Sequence, residues 1–226
     1  MRVRTIAPST RRAATALAAF AASLALFAGC RQILGIEELT YDPVLDETSL
    51  TCDRYCGLIM SLCTGANSQY TSDEACYGVC ETFTAGSLDD SEGNSLGCRI
   101  GVLAAATGGA ELSECAAAGP SGNDVCGTPC DAYCSQIAAV CPDTFESIGD
   151  CAVECQDLST CGTYTANPED ATPDNPSVEC RIYHLSVAAR DGLFDDNGDP
   201  TTAQTVHCPH ASGETECLKD SGIACP

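Results

Sequence analysis

Cysteine is the residue that most constrains what this chain can fold into, because 19 of its 226 residues are Cys. A cysteine content above about 8% in a short chain is typical of exported proteins held together by disulfide bonds. The large side chains of an ordinary core are scarce, with no Trp, five Phe and seven Tyr. Since each disulfide adds about 2–4 kcal/mol of stability, cross-links can replace much of the missing apolar packing. The composition predicts a disulfide-rich scaffold outside the reducing cytosol.

The cysteine spacing repeats once along the chain. The first copy contains Cys52, Cys56, Cys63, Cys76, Cys80, Cys98, Cys115 and Cys126, and the second contains Cys130, Cys134, Cys141, Cys151, Cys155, Cys180, Cys208 and Cys217. In both copies the first three cysteines have the same spacing, a Cys-x-x-x-Cys pair follows, and a Cys-Arg-Ile sequence comes next. A repeat of this kind indicates two tandem modules, which we place at residues 51–126 and 127–226.

Residues at helical spacing predict the local structure of both modules. Cys52, Tyr55, Cys56, Ile59 and Cys63 share one helix face, and the second copy repeats the pattern with Cys130, Tyr133, Cys134, Ile137 and Cys141. Thr128 and Pro129 are typical of an N-cap and a first helical residue, while Thr71 and Glu74 predict a capping box for a second helix. Third helices are expected to begin at Cys98 and Cys180. The predicted fold class is mainly α, with two tandem small disulfide-stapled helical modules and long loops.

Helical spacing also favours certain disulfide pairs. Two antiparallel helices that each carry Cys-x-x-x-Cys would join as Cys52–Cys80 with Cys56–Cys76, and as Cys130–Cys155 with Cys134–Cys151. This is a geometric preference, because eight cysteines allow 105 connectivities. For the closing loops we expect Cys115–Cys126 and Cys208–Cys217, and for the two cysteines outside the repeat Cys161–Cys225. Zinc binding by the cysteines is disfavoured, since exported thiols oxidise.

The first 29 residues have the features of a signal peptide. Four Arg are followed by the small and apolar stretch 13–28, which at 16 residues is short for a membrane-spanning helix. The sequence Ala28-Gly29-Cys30 resembles the lipobox of bacterial lipoproteins, which implies cleavage before Cys30, acylation of Cys30 and a lipid anchor. Cys30 is also the odd cysteine once the other eighteen are paired. The alternative is an ordinary signal peptide followed by a disulfide-bonded Cys30.

The charge balance excludes some partners and favours others. The chain has 10 basic and 32 acidic side chains, and removal of residues 1–29 leaves six basic ones and a net charge of −26. Nucleic-acid binding is therefore not expected, whereas a cationic partner is. Residues 30–50 contain five acids and are predicted to be an acidic tether to the membrane. Arg99 and Arg181 recur at matched positions, and we expect each to pair with an acid or to bind carbonyl groups.

Three histidines are candidate metal ligands, and all of them lie in the second copy. His184 follows Cys180 by one helical turn, while His207 and His210 flank Cys208. If the loop around Cys208 docks on the helix, three imidazoles converge on a site that suits Zn or Cu. The alternative is that these histidines are merely exposed or hydrogen-bonded. No hydrolase elbow, phosphate-binding loop or dinucleotide fingerprint is present, so we expect a non-enzymatic binding or structural module.

Several motifs together resemble a family of cysteine-rich predicted lipoproteins that is common in myxobacteria. They are Cys63-Thr64-Gly65-Ala66-Asn67, Gly93-Asn94-Ser95, Cys180-Arg181-Ile182-Tyr183-His184 and His207-Cys208-Pro209-His210-Ala211. The resemblance implies an envelope protein anchored by lipid, but it implies no mechanism. The first copy departs from the family pattern by lacking the Tyr-His and His-Cys-x-His portions, so any ligand that they bind is expected in the second module only. Arg31 replaces the Asp that retains enterobacterial lipoproteins in the inner membrane, which favours the outer membrane.

Overall fold

The computed structural model describes residues 48–106, 109–158, 163–166, 177–192, 197–199, 201–214 and 217. Within these ranges the first module contains α1 (Cys52–Leu62), α2 (Asp73–Cys80), α3 (Leu96–Ala105) and α4 (Leu112–Ala118). The second contains α5 (Pro129–Val140), α6 (Ile148–Cys155), α7 (Val178–Asp191) and α8 (Cys208–Ser212). A 3-10 turn spans Gly65–Asn67, and a π turn spans Ala203–His207. The predicted mainly α class is thus confirmed for the described ranges. In the same ranges none of the helices is long and apolar enough to cross a membrane.

The helices begin where short polar side chains cap them. Thr128 accepts a hydrogen bond from the Asp131 N–H and Pro129 is the first residue of α5, as predicted. The prediction for α2 was wrong by one residue, because Ser72 and not Thr71 is the N-cap and accepts from the Ala75 N–H. The third helices begin two residues before the predicted Cys98 and Cys180. Ser95 and Ser177 are their N-caps, and they accept from the N–H groups of those two cysteines.

The paired helices of each module are cross-linked in the nested arrangement that helical spacing favours. Disulfides join Cys52–Cys80 and Cys56–Cys76 between α1 and α2, and Cys130–Cys155 and Cys134–Cys151 between α5 and α6. The Cα atoms of these pairs are 5.7–5.9 Å apart. Each helix pair is therefore held by two disulfides that lie one helical turn apart.

The predicted pairing of the closing loops was wrong. Cys115 bonds to Cys63 and Cys126 to Cys98, while Cys208 bonds to Cys141 and Cys217 to Cys180. The physical reason is that the closing helix of each module lies at the C-terminal end of the first helix, where Cys63 and Cys141 are within bonding distance of its cysteine. The last cysteine then returns to the third helix. Cys30, Cys161 and Cys225, together with most of the predicted tether, lie outside the described residues.

Each module has its own small core. Its most deeply buried large members include Tyr55, Ile59, Ile100 and Leu103 in the first module and Tyr133, Ile137, Ile182 and Leu185 in the second, and each of these is at most 1% exposed. Two buried arginines complete these cores. Arg99 donates to the carbonyl oxygens of Ser95 and Gly119 and lies over the Phe83 ring, and Arg181 donates to Glu154 at 3.0 Å. Both roles expected for the matched arginines are therefore present, one in each module.

The two modules pack together through α2 and α7. A Cβ atom added to Gly78 would lie 2.4 Å from the Ala189 carbonyl oxygen. The two helices are therefore so close here that position 78 has no room for a side chain. A further contact between the modules joins Asn94 to α5, where it donates to the Ser135 hydroxyl at 2.9 Å. The described part of Glu47–Pro226 forms one compact unit.

Candidate metal centre

His184 is placed by α7, the longest described helix and the one that links the two modules. It lies one turn after Cys180, on a side of α7 that is covered by the closing segment 201–214. Only 6% of its surface is exposed. The ring of Tyr183 contacts it edge to face, with ring centroids 5.5 Å apart. A rigid, buried helix therefore supplies the first candidate ligand.

His207 is carried by a segment that is tied to the end of α7. The Thr202 hydroxyl donates to Asp191 at 2.9 Å, and the Thr201 hydroxyl donates to the carbonyl oxygen of Gly192. The chain then forms the π turn Ala203–His207, closed by the Cys208 N–H and the Ala203 carbonyl oxygen. Single π turns are rare and often occur at functional sites. This wide turn directs His207 toward α7.

His210 lies in α8, which is held at several points. The Cys141–Cys208 disulfide fixes the start of α8 to α5. The Tyr133 hydroxyl donates to the Ala211 carbonyl oxygen at 2.9 Å, and it accepts from Arg181 at 3.2 Å. After α8 the chain turns at Gly213, whose φ of 79° suits glycine and which lies directly against the Arg181 guanidinium. Covalent and polar contacts therefore position the third candidate ligand independently of any ion.

The structure brings His184, His207 and His210 together. One nitrogen from each ring lies within 4.8 Å of the other two. The Nδ1 atoms of His184 and His207 are 3.3 Å apart, and the ring centroids of the three pairs are 4.6–6.2 Å apart. His207 and His210 are partly exposed, so the cluster lies just beneath the surface. Three side chains from two separate segments thus meet at one point.

The environment favours the uncharged form of the His184 ring. Burial first, and then the neighbouring His210 and His207, lower the pKa of His184 to about 3. His184 is therefore neutral at pH 7. A neutral imidazole has a lone pair available for a metal ion, whereas a protonated one does not.

Cys180 and Cys217 lie close to His184, and the three together have the spacing of a metal-ligand group. The two sulfur atoms are bonded to each other, so neither is a thiolate that could bind an ion. The only group of three that keeps all its donor atoms, among the residues that the structure describes, is the histidine cluster. Its donors are all imidazole nitrogens, which suit Zn²⁺ and Cu²⁺.

The first module has the same frame without the ligands. Its disulfides follow the same order, and Tyr55 donates to the Ala118 carbonyl oxygen at 2.7 Å as Tyr133 does to Ala211. By distance from the matched cysteines, the positions of His184, His207 and His210 are taken by Val102, Glu114 and Ala117. No side chain of this set except Glu114 could bind a metal ion. The candidate site is thus confined to the second module.

Sequence reasoning missed the contacts that position the closing segment. The ties from Thr201 and Thr202 to the end of α7 have no sequence signature. The hydrogen bond from Tyr133 to Ala211 did have a sequence signature. Tyr55 and Tyr133 are at matched positions of the two copies, and so are Ala118 and Ala211. Matched polar residues in an internal repeat therefore indicate shared long-range hydrogen bonds.

Comparison with known proteins gives one match. Residues 44–132 match the model of the BfoA family C-terminal domain, so the chain is similar to that domain across its first module and the start of α5. The match ends before all three histidines. No curated protein and no solved structure matches the chain.

Proposed function

We propose that this protein binds one transition-metal ion, Zn²⁺ or Cu²⁺, through His184, His207 and His210. The observation that carries the proposal is the convergence of three imidazole nitrogens, each within 4.8 Å of the others, from segments far apart in sequence. Three histidines are an established ligand set for zinc, with a fourth position left to water or another ligand. A group of three imidazole nitrogens suits these ions better than it suits Ca²⁺ or Mg²⁺, which prefer oxygen.

The spacing of the nitrogens supports Zn²⁺ in particular. Zn–N bonds of about 2.0–2.1 Å place two ligands of a tetrahedral ion roughly 3.3–3.4 Å apart. The Nδ1 atoms of His184 and His207 are 3.3 Å apart. Without an ion the same two nitrogens are within hydrogen-bonding distance of each other. The pair therefore has the spacing of two ligands of one ion.

Elemental analysis of the oxidised exported chain, purified without a polyhistidine tag, tests this function. We expect about one Zn or Cu per chain in the parent and none in His184→Ala. Val102→Ala is the matched control, since Val102 has the equivalent position in the first module, and it should keep the metal. A parent chain that holds no metal and takes up none when Zn²⁺ or Cu²⁺ is supplied would contradict the proposal.

We also propose that the chain is exported and anchored to the cell envelope, at the outer membrane, by a lipid on Cys30. The cysteine pairing supports this, because the sixteen cysteines of the two copies bond only to one another, and the predicted Cys161–Cys225 bond would account for the two others besides Cys30. Mass spectrometry of the mature N-terminus should find an acylated Cys30. Cys30→Ser should release the protein from the membrane fraction, and retention of this variant on the membrane would contradict the anchor.

A second candidate function is that of a non-enzymatic module for a cationic partner. Four basic side chains lie in the described ranges, and three of them, Arg54, Arg99 and Arg181, are at most 7% exposed. The fourth, Arg190, pairs with Asp191 at 2.5 Å. The acidic side chains thus dominate the described surface, which attracts basic surfaces at low salt. Titration with a basic test protein should show salt-sensitive binding that His184→Ala does not change, and the absence of such binding would contradict this candidate.

A further inference from the structure

The two modules together indicate what role the ion has. Resting on the proposed function, we infer that the ion is exchangeable cargo held at a preformed site, and that it is not needed for the fold. Structural metal ions, by contrast, supply the folding energy of small domains, which unfold when the ion is removed. The distinction decides whether the protein carries and releases the metal ion or uses it only to stabilise its fold.

The first module is an internal control for folding without the ligands. Its four disulfides join cysteines in the same order as those of the second module, first to fifth, second to fourth, third to seventh and sixth to eighth. Its closing helix is held by the same tyrosine-to-carbonyl bond. Val102 and Ala117 offer no ligand atoms at the matched positions. The frame therefore reaches its folded arrangement with no three-histidine site in it.

In the second module, other contacts already hold the ligands in place. The disulfides Cys141–Cys208 and Cys180–Cys217 fix the closing segment to α5 and α7. At the start of that segment the Thr202 hydroxyl donates to Asp191, and near its end the Ala211 carbonyl oxygen accepts from the Tyr133 hydroxyl. Because His207 and His210 lie between these fixed points and His184 is held on α7, little conformational entropy remains to be lost when an ion binds. The binding energy is then available for affinity, and release of the ion leaves the fold intact.

The donor set and the surrounding charge are also suited to exchange. Three imidazoles carry no negative charge, and the two nearby sulfur atoms cannot become thiolates while they are bonded to each other. The ion is therefore held without the charged ligands typical of structural zinc sites. The described arginines are buried or paired with Asp191, and the net charge of the chain is −22. Such a surface raises the local concentration of cations and speeds their capture.

Nuclear magnetic resonance of the disulfide-intact full chain, with and without Zn²⁺, tests this inference. We expect the metal-free chain to give a well-dispersed amide spectrum. Addition of Zn²⁺ should shift signals only in α7 and in residues 201–214. Removal of the ion by a chelator and its return should restore each spectrum. His184→Ala should give the metal-free spectrum at all Zn²⁺ concentrations.

The outcomes separate this inference from the proposed function. A chain that binds Zn²⁺, but whose second-module signals broaden or vanish when the ion is removed, would overturn the inference and leave the function standing. A chain that shows neither shifts with Zn²⁺ nor line broadening with paramagnetic Cu²⁺ would contradict the function itself. Signals of α1–α4 serve as the internal reference, because that module lacks the ligands and should not change in either state.

Discussion

His184 and His207 are 23 residues apart in sequence, yet their Nδ1 atoms lie 3.3 Å apart. The first is buried on α7, and the second ends a π turn that is tied to the C-terminus of the same helix. His210, one turn of α8 further on, completes the cluster with its ring centroid 4.6 Å from that of His184. A single long helix and the segment that follows it therefore build the whole site.

We expect His207→Ala and His210→Ala each to weaken Zn²⁺ binding by on the order of 100-fold or more. Loss of even an outer partner of a zinc ligand costs about 10–100-fold, and loss of a direct ligand should cost at least as much. Calorimetric titration of the full chain measures the effect. Val206→Ala is the control, because Val206 is 37% exposed and adjoins His207 without offering a ligand atom. Equal affinity in the parent and in His207→Ala would remove His207 from the site.

Removal of the equivalent disulfide from each module in turn should distinguish its role in positioning the metal ligands from its role in stability. Replacing Cys141 and Cys208 together by Ala should cost about 2–5 kcal/mol of unfolding free energy and should also weaken Zn²⁺ binding, since the segment with two ligands loses the covalent bond that lies between them. The equivalent change of Cys63 and Cys115 should cost a similar free energy and leave Zn²⁺ affinity unchanged. Denaturant unfolding and zinc titration of both variants measure this. Equal zinc affinity in the two double variants would show that the tie does not position the ligands.

The sequence predicts local structure and the nested disulfides because these depend on helical spacing alone. Cysteines four residues apart on two paired helices leave one unstrained arrangement, and Cys52–Cys80 with Cys56–Cys76 is what forms. The closing pairs were predicted wrongly because sequence proximity was taken for spatial proximity. Gly122 and Asn123 both have positive φ, and the tight turn they form sends Cys126 back to Cys98 and away from Cys115.

The candidate site was predictable in its members but not in its construction. The three histidines are absent together from the first copy, which marks them as a set. Their convergence depends on the π turn and on the hydrogen bonds of Thr201 and Thr202, which arise from tertiary packing and have no periodic signature. The same limit explains why Thr71 was wrongly predicted as the N-cap of α2. Two adjacent hydroxyl residues can both cap a helix, and only the path of the backbone selects Ser72.

Gly78 is expected to be essential for the contact between the modules. A Cβ atom there would lie 2.4 Å from the carbonyl oxygen of Ala189, which is backbone and cannot move aside cheaply. Gly78→Ala should therefore destabilise the protein by about 1–3 kcal/mol, as overpacking does. Gly149→Ala in α6 is the control, since its nearest neighbour would be the Ser147 hydroxyl at 3.5 Å. That variant should be neutral or gain up to about 1 kcal/mol from helix propensity. Denaturant unfolding that finds both variants equally stable would contradict the tight contact.

Buried tyrosines should make the protein unstable in alkali. Burial raises the pKa of Tyr133 to about 12 and raises those of Tyr55, Tyr70 and Tyr164 further above the ordinary value of 10. A pKa that is higher in the folded state contributes stability below pH 10, and this contribution is lost as the pH rises from 10 through the folded pKa. Each such tyrosine steepens the loss by up to about 1.4 kcal/mol per pH unit. We expect the unfolding free energy to be flat just below pH 10 and to fall above it.

The tyrosinate absorbance band and denaturant unfolding, followed together in short alkaline exposures, measure this loss. Tyrosinate absorbance from the buried residues should appear only as the protein unfolds, after the exposed tyrosines have titrated. Tyr133→Phe should be less stable than the parent at neutral pH, because the Ala211 carbonyl oxygen loses its donor. The same variant should lose stability less steeply than the parent between pH 10 and about 12, since one raised pKa is gone. Parallel stability curves for the two proteins across that range would show that Tyr133 is not protected from ionisation in the folded state.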